Sequence, residues 1–143
     1  MNTLERNQDI GIFILRLTVG IAFSLIFGLP KMEAGPVLWE QIGAATANLG
    51  FSFAPTFWGF MATISEFGGG ILLVLGLFVR PAAVLMGITM IFATMQHLSM
   101  QDQWYNVITP VVYLSIFILL LFTGAGRYGL DALIFRRKKT ENL

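Results

Sequence analysis

The sequence predicts an all-α polytopic membrane protein: an antiparallel bundle of four transmembrane helices with a short interfacial helix in the first outer loop. Three observations carry that expectation. Hydrophobic residues make up 56% of the 143 residues and charged residues only 12%, with a mean hydropathy of +0.75, and a soluble domain of this size could not hide so much apolar surface. The apolar residues gather into four segments, 10–29, 56–79, 82–98 and 107–123, each close to the roughly 20 residues a helix needs to cross a bilayer. Backbone polar groups in lipid must also be satisfied within the segment, which makes each of these a helix. Four spans use most of the chain, so residues 1–143 are expected to form one domain.

Taken in order, residues 1–9 are polar with mixed charge, unlike the basic start of a signal peptide, so the first span is read as retained. The loop 30–55 carries Val37, Leu38, Ile42, Ala45 and Leu49 near helical spacing, which predicts the short interfacial helix. Span two has Glu66 as its only charge and a run of Gly68, Gly69 and Gly70. Pro81 follows Arg80, and a residue before proline resists helical geometry, so a tight turn there joins spans two and three as a hairpin. Span three brings Gln96 and His97 to its outer end. Trp104 and Tyr105 fit an aromatic belt at the outer mouth of span four. That span ends at Gly124 to Gly126. In the tail, 127–143, Arg127 and Asp131 have the spacing of a helical pair, and Arg136, Arg137, Lys138 and Lys139 are expected to anchor on anionic lipid.

Basic residues set the orientation. Arg6, Arg80, Arg127 and the terminal cluster fall on one side and Lys31 alone on the other, which places both termini in the cytoplasm. Basic residues at that position need no nucleic-acid partner. The chain has no cysteine, which excludes disulfides and thiol chemistry of its own. A single histidine is a poor metal site, so none is expected. A haem held by His97 and one of Met86, Met90, Met95 or Met100 is disfavoured, because methionines at helical spacing ordinarily pack.

Arg16 and Glu66 are the two charges inside the apolar segments, and intramembrane charges are costly unless paired or set in a polar cavity. Arg16 lies about 9 Å in from the start of span one and Glu66 about 20 Å from Arg80. Three readings stay open: a structural ion pair, a proton-accepting carboxylate or quinone contact, and an Arg16 that snorkels to the surface. Arg16, Glu66, Gln96 and His97 together form the candidate polar pocket. Gly20, Gly28, Gly68, Gly69 and Gly70 predict a close crossing of spans one and two, and alternatively room for a ligand.

These residues carry a resemblance. Leu15-Arg16-Leu17 with Gly20 and Gly28, Lys31, Glu66-Phe67-Gly68-Gly69-Gly70, Leu75-Gly76-Leu77 with Arg80, and the closing Gly124-Ala125-Gly126-Arg127-Tyr128-Gly129-Leu130-Asp131 resemble, in order and spacing, the DoxX family of small four-helix bacterial membrane proteins. Gly129 stands where that family commonly has serine. The resemblance implies a multi-pass protein of the bacterial inner membrane and a subunit of a quinone-linked redox complex, whose pocket receives a quinone or lipid-like molecule and which meets a partner redox subunit or a second copy of itself. Relatives are linked to thiosulfate:quinone oxidoreduction, to complexes handling oxidative or thiol stress, and to export or assembly. A proton-coupled transporter and a structural partner without a small-molecule site are the alternatives, and whether the chain is itself catalytic stays open.

Overall fold

The structure is a computed structural model that describes residues 3–134; the basic cluster Arg136 to Lys139 lies outside them. Helix α1 (Thr3–Ile21) runs without a break through a π-helical segment (Ala22–Gly28) into α2 (Leu29–Ala34). This 32-residue unit is about 48 Å long at 1.5 Å per residue, more than the ~30 Å of hydrocarbon it must cross. The span is therefore longer at both ends than 10–29. Polar residues 3–9 simply continue the helix into solvent. Pro30 does not end it: the wider π turn ahead of the proline relieves its clash with the preceding turn, and the Leu29 N–H reaches back five residues to Ser24 O.

The first loop folds as α3 (Pro36–Gly43) and a 3₁₀ segment (Ala44–Leu49). Rather than only lying at the interface, α3 packs along the start of α4 (Pro55–Leu75). A Cβ on Gly43 would overlap Pro55 O and one on Gly59 would overlap Trp39 O, so backbone touches backbone at this crossing, and Trp39 stacks on Phe60 at 4.9 Å.

Helix α4 stops at Gly76, which takes the left-handed φ of +67° that glycine adopts without strain. The turn to α5 (Val79–Ser99) is therefore Gly76 to Phe78, and Arg80 and Pro81 lie in the first turn of α5; proline is tolerated there because the first N–H groups of a helix have no partner inside it. Those orphan groups are met from far along the chain. The Asp131 carboxylate accepts the N–H of Phe78 at 2.9 Å and of Val79 at 3.2 Å. Helix α6 (Trp104–Thr123) closes the bundle and ends at Gly124.

Among the described residues, four helices are long and apolar enough to cross a membrane. Ile14, Ile71, Leu85, Ile88, Val112 and Phe122 point outward and are exposed, as residues facing lipid should be. The first unit and α4 cross at glycines: a Cβ on Gly70 would lie 2.6 Å from Ser24 N, and one on Gly28 2.5 Å from Phe67 Cα. Gly20 belongs to the same contact, 2.7 Å from Gly70 O. Gly69 instead turns to Met86 of α5, and Gly68 meets nothing within 4 Å, so only part of the glycine run serves the predicted crossing. The first unit and α6 meet mainly through aromatic rings, with Phe23 edge-on to Tyr113 at 4.8 Å and to Phe117 at 5.2 Å.

Candidate functional site

Arg16 and Glu66 do not meet. Arg16 is fully buried at the end of the bundle that carries the termini. Its Nη1 donates to Leu73 O at 2.7 Å and Val74 O at 3.3 Å, and its Nη2 to Tyr128 O at 3.2 Å. The last carbonyls of a helix lack partners and carry partial negative charge, so this guanidinium closes the end of α4 and ties it to the segment after α6. A side chain on Gly76 would overlap it. Arg16 is thus a fixed strut, neither snorkelling nor lining the polar pocket.

Glu66 is only 4% exposed, and its Oε2 accepts from Lys31 Nζ at 2.5 Å. From the sequence alone, Lys31 falls in the first loop, as the one basic residue on its side. It joins the site because α2 continues the first helix past Pro30, so the lysine rides on the spanning element and faces α4. Trp39 Nε1 donates to Lys31 O at 2.8 Å, which ties α3 to the same turn. The signal in the sequence was an unmatched carboxylate in one span and a single lysine beside the end of another.

Two cavities flank this ion pair. The smaller, about 260 Å³, lies among the first unit, α5 and α6, where Phe23, Phe27 and Tyr113 form an aromatic wall and His97, Asn106 and Thr109 supply polar groups. The larger, about 690 Å³, lies among α3, α4 and α5 and is walled mostly by apolar side chains such as Met61, Ile88 and Phe92. Lys31, Glu66, Ala93 and His97 line both. The pair is therefore a partition between an aromatic, partly polar chamber and an apolar one.

His97 sits near the C-terminal end of α5, its Nδ1 2.9 Å from Asp102 Oδ2, while Asn106 Nδ2 donates to Asp102 Oδ1 at 3.2 Å. The hydrogen bonds with His97 and Asn106 hold the Asp102 carboxyl below its ordinary range. Gln96 faces only the larger chamber; Asn48 Nδ2 donates to its Oε1 at 3.3 Å, a link between the 3₁₀ segment and α5. Of the four expected pocket residues, the structure brings Glu66, His97 and Gln96 to the chambers, adds Lys31, and leaves Arg16 elsewhere. Among the described residues no group of three or more His, Cys, Asp or Glu side chains is placed to hold a metal ion.

A DoxX family model matches residues 11–99, which takes in most of the first unit and all of α3, α4 and α5. A Haemophilus influenzae protein described as "Uncharacterized protein" is 28% identical over 96% of this chain and 100% of its own length. The Bacillus subtilis protein named "Putative oxidoreductase CatD" is 27% identical over 98% of each. No solved structure matches the chain.

Proposed function

This chain belongs to the DoxX family, and from that premise we propose that it is the membrane-embedded, quinone-binding subunit of a redox complex in a bacterial inner membrane. The observation that carries the reading is the Lys31–Glu66 pair, enclosed in the bundle and forming the shared wall of two cavities. A quinone head is flat and presents two carbonyl acceptors. The aromatic wall of Phe23, Phe27 and Tyr113 suits a flat ring, and the Lys31 ammonium is a strong donor for one carbonyl. Oxidation of a hydroquinone releases two electrons and two protons. Glu66 is placed to accept one proton as Lys31 turns to the forming carbonyl, His97 stands on the way to the outer surface for the second, and the electrons pass to a partner redox subunit. The oxidoreductase name of the Bacillus subtilis relative supports the redox class. The basic residues Arg6, Arg80 and Arg127 support placing the terminal end in the cytoplasm.

The test is quinone binding by purified protein, read by quenching of tryptophan fluorescence in mild detergent. Lys31→Met and Glu66→Gln are each expected to weaken binding about tenfold or more, the loss of one charge-assisted contact, while Asn7→Ala, an exposed change near the start of α1 and outside the chamber linings, leaves it intact. Unchanged affinity in both pocket variants would reject the site. Flux driven by a pH gradient in proteoliposomes, without quinone dependence, would favour the transport alternative.

A further inference from the structure

We infer that the two chambers are halves of one site, and that its occupant is a quinone bearing a long hydrocarbon chain, with the ring in the smaller chamber and the chain led out to lipid between α4 and α5. The inference rests on the quinone reading above and adds the direction of approach and the need for a chain. The larger chamber is the less polar of the two, and Ile64, Leu85 and Ile88 on its walls are also exposed on the lipid-facing surface, so it is continuous with the bilayer. Its inner end is not apolar: it stops at Lys31, Glu66 and His97, the same groups that bound the ring chamber. A wholly apolar occupant would cover the Lys31–Glu66 pair and His97 with hydrocarbon and offer them no acceptor or donor beyond the partners they already hold, and a small polar one would leave the apolar walls unfilled. A molecule with a compact oxygen-bearing head and one chain answers both ends. Small side chains line the larger chamber where α4 meets α5: Ser65 and Thr89, whose 3.2 Å hydrogen bond ties the two helices, leave room beside them for a chain, and Ala93 lines both chambers.

The chain adds little affinity, because leaving lipid for an apolar chamber removes no hydrocarbon from water. What the chamber supplies is direction, and the test is one of position. Wild-type protein in proteoliposomes is irradiated with two probes, a quinone carrying a photoreactive azide on its ring and the same quinone carrying a diazirine at the end of an alkyl chain, and labelled peptides are mapped by mass spectrometry. Ring label is expected on Phe27 or Tyr113 and chain-end label on Ile64, Ile88 or Phe92, both lost on adding excess unlabelled quinone. Chain-end label spread over the lipid-facing side of α6, at Val112 and Leu119, or chain-end label in the smaller chamber, would overturn the inference while the competed ring label left the quinone reading standing. A phospholipid with a diazirine in its acyl chain that labels the larger chamber and resists competition by quinone would assign that chamber to ordinary lipid and also overturn it. Ring label that no quinone displaces would overturn the binding reading and this inference with it.

Discussion

At the residue scale, buried Arg16 and half-buried Lys31 show how position separates roles. Arg16 answers backbone carbonyls and Lys31 answers a carboxylate. A planar guanidinium with five donors suits several carbonyls at once, whereas a flexible ammonium can leave one acceptor for another. Removing one member of a buried pair strands the other, at a cost of about 3 kcal/mol; the Lys31 side chain remains 29% exposed, which softens its own loss. Lys31→Met and Glu66→Gln are therefore each expected to lower stability in detergent, with Lys31→Met the worse because it leaves a carboxylate unpaired. The double variant should recover a large part of that loss. Measured as a double-mutant cycle, strictly additive losses would show that the two groups act independently.

At the scale of the element, glycines and helix ends decide how the spans fit. Gly70 faces the backbone of Ser24 while Gly68 faces open space. Gly70→Ala is expected to destabilise the bundle by roughly 1–3 kcal/mol through overpacking. Gly68→Ala is expected to be neutral or stabilising by up to about 1 kcal/mol, since alanine favours the helix. Equal effects in a thermal assay would contradict the observed crossing. The start of α5 depends on Asp131, whose carboxylate takes its first N–H groups. Asp131→Ala should cost about 1 kcal/mol, as for other lost helix caps, and hydrogen exchange should rise first at Phe78 and Val79. Protection unchanged at those two amides would remove the cap.

At the scale of the whole molecule, four spans put the start of α1 and the end of α6 on one face, and the proposed orientation makes that face cytoplasmic. The absence of cysteine permits a direct check. A cysteine at Ser52, exposed in the loop before α4, is expected to react with a membrane-impermeant maleimide from outside intact spheroplasts, and one appended after Leu143 only after lysis. The reverse pattern would invert the protein and place the mouth at His97 and Asp102 in the cytoplasm.

The sequence by itself determined the class and the count of spans, because the length and apolarity of a segment suffice to commit it to a helix in lipid. Glu66 was legible for the same reason: a charge within an apolar run needs no partner in view to stand out. Its partner was not legible. Lys31 lies 35 positions away, beyond a proline that ordinarily ends a helix, and only the π segment and the continued α2 carry it to Glu66. Nor could the sequence say which glycines of the run touch a neighbour. In a soluble helix the buried face is marked by its contrast with a polar one; here lipid and core are both apolar, so the pattern hardly marks which way a residue points. Tertiary structure alone decided that Gly70 packs and Gly68 does not, that Arg16 and Glu66 stay apart, and that one ion pair divides two chambers.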